Sequence, residues 1–193
     1  MTETCEWKFA AHQLLLVYFG HVAIWTGTKA EVIDAGVWAD PVVQRHAEHI
    51  SNESDPHSRD EHQIIEALRN GVKLSTLEHF LNVDDFAILR PVFPDGAASD
   101  MKREALLLAF RQVGKQYDFN FDVNTTDKIV CSELAYVSFP STEKMFGRHS
   151  ISPNNAAELA GNNFPLEAVM FYHDGELVEP SAQRTKIKEL MAR

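Results

Sequence analysis

Two side chains in the sequence, Cys131 and His21, are of the types used in acyl chemistry. Cys131 lies in KIVCSELAYVSF, an apolar segment that predicts a helix beginning close to the cysteine, with Thr126 or Asp127 as its cap. A helix N-terminus presents unpaired N–H groups and a positive dipole end, which favour thiolate over thiol. The same groups can stabilise an oxyanion. A buried cysteine that only packs as a small apolar side chain is the alternative interpretation.

His21 begins HVAIWT, an apolar run rich in strand-forming residues that stops at Gly27-Thr28. The Gly-Thr pair predicts a two-residue hairpin turn into KAEVIDA. In that register Asp34 lies directly opposite His21, with Cβ atoms roughly 4.5–5.5 Å apart. A carboxylate there would fix the imidazole tautomer and stabilise its charged form. Asp34 is therefore the predicted acidic partner, while Glu31 is expected on the opposite face of the sheet.

The chain that must position these residues has 193 residues, 45% of them hydrophobic. This is enough for one sizeable core, so we expect one domain over residues 1–193. Eighteen basic against 28 acidic residues give a net charge of -10, which disfavours a nucleic-acid partner. Two cysteines without a CxxC motif predict a reduced, cytoplasmic setting. The apolar run at residues 14–19 is too short for a membrane span or a secretion signal.

The order of apolar patterns predicts an α+β fold with an antiparallel sheet packed against helices. DDFAILRPV indicates a strand, SDMKREALLLAFRQVG a helix, and LEAVMFYHDGELVEP two strands around Asp174-Gly175. Residues 44–82 are polar, acidic and rich in histidine, and we expect them to form a partly helical insertion over the sheet edge. One helix is predicted between Ser58 and Gly71 and a second from Ser75 to Leu81. This insertion is expected to act as a lid or rim over the site.

Four motifs, GHVAIW, VIDAG, GKQYDFNF and KIVCSELAY, resemble in this order those of the YiiX/YebB-like cysteine hydrolases. These enzymes are the circularly permuted branch of the NlpC-type, papain-fold superfamily, in which the histidine precedes the cysteine. The resemblance implies a permuted papain-like fold, with Cys131 as nucleophile, His21 as base and Asp34 as the acidic third residue. Tyr117 matches a family motif and is expected either to contact the substrate or to brace its loop. The implied reaction is hydrolysis of an amide or ester through a thioester.

Other functions stay open at this stage. The same fold can serve as a catalytically silent binding module, and the same Cys-His site can pass an acyl group to an amine or alcohol as an acyltransferase. His46 to His49, with Asp55, His57 and His62, could supply metal ligands, but HExxH is absent and we expect no metal and no cofactor. The expected substrate is a small peptide, an aminoacyl amide or a lipid-linked acyl group.

Overall fold

A computed structural model describes residues 13–17, 20–51, 63–92, 98–120, 126–139 and 166–191. Its main feature is a seven-stranded antiparallel sheet in the spatial order β4-β3-β2-β1-β5-β8-β9, beside a short parallel pair, β6 and β7. The strands are β1 (Gln13–Val17), β2 (His21–Gly27), β3 (Gln63–Leu68), β4 (Gly71–Thr76), β5 (Phe86–Pro91), β6 (Gln116–Tyr117), β7 (Lys128–Ile129), β8 (Leu166–His173) and β9 (Glu176–Leu177).

Six helices accompany the sheet in the described part of the chain, with α5 packed on α4, β2 and β3, and the last helix on β8. The helices are α1 (Lys29–Asp34), α2 (Pro41–Ser51), α3 (Leu77–Phe80), α4 (Ala98–Phe110), α5 (Cys131–Ser138) and α6 (Pro180–Met191). The α+β prediction is confirmed. The strands expected within 84–92 and around the turn at 174–175, and the helix expected within 99–114, are also confirmed.

Apolar side chains pack on both faces of the central strands. Ile65 joins one buried cluster, together with Leu106 of α4 and Leu134 of α5, whereas its neighbour Ile64 joins a second cluster that includes Phe80 of α3. Side chains alternate between faces along a strand, so consecutive residues supply different clusters. The sheet is therefore covered on both sides where β2 and β3 pair.

The segment after Gly27 is a helix, and the predicted hairpin is wrong. Thr28 is the N-cap of α1: its hydroxyl accepts the N–H of Glu31 at 3.2 Å, and the Glu31 carboxylate accepts the N–H of Thr28 at 2.7 Å. This reciprocal capping box satisfies two backbone donors at the helix start and favours a helix over a second strand. Asp34 consequently ends α1 as an exposed residue and does not lie opposite His21 on a strand.

The helix predicted between Ser58 and Gly71 is also wrong over the part that the structure describes. Residues 63–68 form β3, which pairs with β2 and β4 inside the main sheet. A short apolar run buried on both faces lacks the two-residue alternation of a half-exposed strand, and periodicity alone does not separate it from a buried helix. Residues 63–76 therefore build the sheet and are not a lid. The short helix expected from Ser75 to Leu81 is confirmed as α3.

Candidate active site

Cys131 is the first residue of α5, which begins directly after β7. The N-cap, Val130, is extended (φ -95°, ψ 166°) and makes no side-chain hydrogen bond to the helix. A serine or aspartate cap would accept first-turn N–H groups, whereas valine leaves these donors to other acceptors. Cys131 is only 7% exposed and belongs to the main buried cluster.

The surroundings of Cys131 favour its thiolate. Burial alone would raise the pKa of the thiol. A hydrogen bond and charge from His21, together with the backbone N–H groups of Val22 and Ser132, lower this pKa below its ordinary value. The helix start and the first residues of β2 thus stabilise the same sulfur.

His21 lies at the start of β2, between Cys131 and a carboxylate that the sequence reasoning missed. Its Nε2 is 3.1 Å from Oε2 of Glu66, so Nδ1 is the ring nitrogen available to the thiol. Burial would lower the pKa of His21, but its contacts with Cys131 and Glu66 raise it to about 9. At neutral pH the ring is therefore an imidazolium beside a thiol that favours the thiolate.

Glu66 reaches His21 from β3 through the sheet register. Ala23 of β2 is paired with Glu66, and His21 lies two residues from Ala23 on the same face, which makes His21 and Glu66 diagonal neighbours. Glu66 is only 3% exposed. Burial would raise the pKa of its carboxyl group, but His21, Ser75 and Lys73 lower it, so the carboxylate stays charged beside the imidazolium.

Ser75 continues the same diagonal on the other side of Glu66. Ser75 is paired with Ile64, two residues before Glu66, and its hydroxyl oxygen is buried. Ser75 is among the groups that lower the pKa of Glu66. His21, Glu66 and Ser75 therefore form a line across β2, β3 and β4.

Tyr117, on β6, lies close to the thiol. It is paired with Ile129 of β7, two residues before Cys131. Burial, the negative charge of Cys131 and that of Asp118 raise the pKa of the Tyr117 phenol, and Arg69 opposes them. The phenol therefore stays protonated at neutral pH and can donate a hydrogen bond.

At the histidine and aspartate positions that suggested a metal site, the described residues do not form a set of metal ligands. His46 lies on α2, the side chain of His49 is not among those described, and Asp55, His57 and His62 lie outside the described residues. Within the described ranges, a different group of possible ligands occurs, Asp85, His173 and Asp174. Its members lie on or next to β5 and β8, which β1 separates from β2.

A family model described as a permuted papain-like amidase enzyme, YaeF/YiiX, C92 family, matches residues 8–179. The chain belongs to this family. The resemblance and the fold expected from the ordered motifs are thereby confirmed, and the chain is an amidase-type enzyme. No curated protein and no solved structure was found to match it. In the part of this YaeF/YiiX-family chain that the structure describes, none of the helices has the length and apolar character needed to cross a bilayer.

Of the residues predicted from sequence, the structure brings Cys131, His21 and Tyr117 into one region and leaves Asp34 on the surface of α1. The residue that reasoning from sequence missed is Glu66. Its signal was a single charged residue inside the apolar run QIIEAL, in a segment interpreted as an amphipathic helix. A carboxylate is almost never fully buried without a partner, so a strand interpretation of this run would have identified it.

Proposed function

We propose that this enzyme hydrolyses an amide bond of a peptide-type substrate through a thioester on Cys131. His21 is the acid–base group, and Glu66 takes the orienting role that the sequence assigned to Asp34. The observation that carries the proposal is the position of His21, with Nε2 engaged by Glu66 at 3.1 Å and its other nitrogen available to a thiol whose pKa is lowered. A carboxylate on one nitrogen fixes the tautomer and stabilises the imidazolium.

The first half of the reaction forms the acyl-enzyme. The Cys131 thiolate attacks the substrate carbonyl carbon, an S–C bond forms, and the π electron pair moves to oxygen. When the tetrahedral intermediate collapses, the C–N bond breaks and His21 gives its proton to the leaving nitrogen. The products of this half are a free amine and a thioester.

The second half restores the enzyme. Neutral His21 takes a proton from a water molecule, whose oxygen attacks the thioester carbonyl. The C–S bond then breaks, the carboxylic acid is released, and the thiolate again faces an imidazolium. Glu66 stays ionised throughout, because its pKa is lowered by the same ring that it orients.

The oxyanion formed in both halves needs donors that are already in place. The N–H groups at the start of α5 are suited to this role, because Val130 provides no side-chain cap that would compete for them. Tyr117 is a second donor, since its raised pKa keeps the phenol protonated. Removing one such donor costs roughly 100- to 1,000-fold in turnover in enzymes of this type of chemistry.

The proposal is tested by trapping the thioester. We expect incubation with a pool of short peptide amides to add an acyl mass to Cys131, seen by mass spectrometry after rapid acid quenching. The adduct should disappear with hydroxylamine, which cleaves thioesters, and should be absent in Cys131→Ala. A matched Cys5→Ser variant should keep the adduct. Turnover of the same peptides by Cys131→Ala at the wild-type rate would contradict the proposal.

Hydrolysis is separated from acyl transfer by the product. We expect the free acid to accumulate in plain buffer, and the rate of amine release to be unchanged by added glycine amide or ethanol. An acyl product that forms only when such an acceptor is added, with no free acid in its absence, would instead identify the enzyme as an acyltransferase.

A further inference from the structure

Two exposed side chains of different character flank Tyr117 beside the thiol, and the proposed mechanism uses neither. Phe119 follows β6, is 62% exposed, and meets the Tyr117 ring edge-on with 5.1 Å between ring centroids. Arg69 is exposed in the turn between β3 and β4. Ligand sites are lined largely by apolar and aromatic side chains together with a few placed polar or charged groups.

The turn that carries Arg69 is fixed against the segment that leads into β6. The N–H of Val72 donates to the carbonyl of Lys115 at 2.9 Å. Gly71 has φ +104°, and a Cβ there would be 2.6 Å from the same carbonyl oxygen. Only glycine permits this approach. The β3–β4 turn is therefore held next to the start of β6, and Arg69 belongs to this turn.

Arg69 offers a cation with no carboxylate within ion-pair distance in the described part of the chain. Its charge acts on the Tyr117 phenol, and so does the charge of Cys131. The chain as a whole has a net charge of -10, so a guanidinium at this position runs against the general charge of the molecule. A guanidinium binds a carboxylate through two parallel hydrogen bonds, which gives both energy and orientation.

We propose that Arg69 and Phe119 form a substrate subsite beside Cys131, which takes an amide that carries a carboxylate close to an apolar group. Arg69 binds the carboxylate, and the exposed ring of Phe119, braced by Tyr117, packs against the apolar group. The inference rests on the proposed function, because it names the class of amide that the same thiol attacks. It requires both contacts.

The charge half of the subsite is tested with two alkylating agents of nearly equal size. Iodoacetate is an anion and iodoacetamide is neutral, so the ratio of their rates at Cys131 reports the local potential. In a Cys5→Ser background, which leaves one thiol, we expect Arg69→Glu to lower this ratio about five-fold and Arg69→Lys to preserve most of it. The effect of Arg69→Glu should shrink at 1 M salt, since salt screens exposed charges.

The matched control makes the same change of charge elsewhere. Lys188 is exposed on α6, which packs on β8, and three strands separate β8 from β3. Lys188→Glu should leave the ratio within about 1.5-fold of its starting value at 0.15 M salt. An equal fall in Lys188→Glu and Arg69→Glu, or no fall in either, overturns the subsite.

The apolar half is tested with N-ethylmaleimide and N-benzylmaleimide, each rate being normalised to that of glutathione. We expect Phe119→Ala to lower the preference of Cys131 for the benzyl reagent about three-fold, because the ring loses an apolar surface to pack on. An unchanged preference overturns the subsite, which requires both contacts. Failure of the proposed function is distinct: there, Cys131 of the Cys5→Ser protein would alkylate no faster than glutathione at pH 7.

Discussion

Two histidines of the same sheet contact carboxylates in the described part of the chain: His21 contacts Glu66 at the start of β2, and His173 contacts Asp85 at the end of β8. The rings are used differently. Glu66 engages one nitrogen of His21 and leaves the other for Cys131, whereas His173 has Asp85 at Nδ1 and Asp174 3.3 Å from Nε2. Asp85 also accepts the N–H of Asp174 at 3.1 Å.

The His173–Asp85 contact stabilises a turn, whereas the His21–Glu66 contact leaves one ring nitrogen available to a reactive group. With a carboxylate at each ring nitrogen, His173 has no nitrogen free to exchange a proton with a nucleophile, and the described residues place no thiol beside it. Asp174 lies in the left-handed region at φ 52°, and Asp85 holds this residue of the β8–β9 turn by accepting its N–H. A histidine–carboxylate pair therefore identifies acid–base chemistry only where the ring's second nitrogen faces a reactive group.

The largest expected effect comes from deleting each ring in turn. His21→Ala should lower turnover of the amide substrate roughly 1,000-fold, because the thiolate loses its counter-ion and the leaving nitrogen loses its proton donor. His173→Ala should leave turnover within about two-fold and cost about 1 kcal/mol of unfolding free energy in urea, since it removes only a turn anchor. A comparable loss of turnover in both variants would contradict the distinction.

The carboxylates give the second comparison, with a smaller expected effect. Glu66→Gln keeps the shape of the side chain but removes its charge, so turnover should fall roughly 100-fold. Asp85→Asn at the other pair should leave turnover unchanged. Asp34→Asn, at the acid first predicted from sequence, should also be neutral. Normal kinetics in Glu66→Gln would leave Cys131 and His21 acting as a dyad.

The residues of this site that could be predicted from sequence are those with a signal in their own sequence neighbourhood. Cys131 follows a strand and precedes an apolar helix, and His21 heads an apolar strand, so each has a signal within about ten residues. The ordered motifs around them also sufficed to predict the fold and the family. The acid depends instead on pairing between strands, and 45 positions separate His21 from Glu66.

The error at Asp34 shows why such pairing is hard to infer. The sequence predicted an acid directly opposite His21 on the next strand along the chain, whereas the structure places the acid diagonally from His21 on β3. Gly27-Thr28 fits a hairpin turn, and Thr28 to Glu31 fits a capping box equally well. The local sequence is therefore compatible with either a hairpin turn or a helix start after β2. The pairing of β3 with β2 decides between these two structures.

The pH profile of turnover should separate the active pair from the structural one. Activity needs the thiolate and the imidazolium together, so we expect a bell-shaped profile of kcat/KM. Its acid limb should lie below the ordinary thiol range, because the pKa of Cys131 is lowered. Its alkaline limb should lie near 9, where His21 loses its proton.

The sign of the change in Glu66→Gln follows from the same contacts. Glu66 helps to raise the pKa of His21, so its neutralisation should move the alkaline limb to lower pH. Asp85→Asn should leave both limbs in place. An alkaline limb that stays near 9 in Glu66→Gln would mean that Cys131 alone sustains the imidazolium.

The smallest expected effect concerns Ser75, which has no counterpart at the His173 pair in the described residues. Its buried hydroxyl acts on the Glu66 carboxylate and helps to keep it ionised. Ser75→Ala should lower turnover about three- to ten-fold, which corresponds to roughly 0.7–1.4 kcal/mol, the size of one ordinary net hydrogen bond. The alkaline limb should also move slightly to lower pH, because Glu66 is then held less firmly against His21.

The coupling between Ser75 and Glu66 separates positioning from a loss of packing. If Ser75 acts through Glu66, Ser75→Ala should have little further effect on turnover in the Glu66→Gln background. Ser138 provides the matched control: it is another buried serine, and its hydroxyl donates to the Leu134 carbonyl at 2.7 Å within α5. Ser138→Ala should leave the alkaline limb unmoved in either background. Equal effects of Ser75→Ala with and without the Glu66 charge would show that the hydroxyl only supports the packing of β4, and His21–Glu66 would then be oriented by the sheet alone.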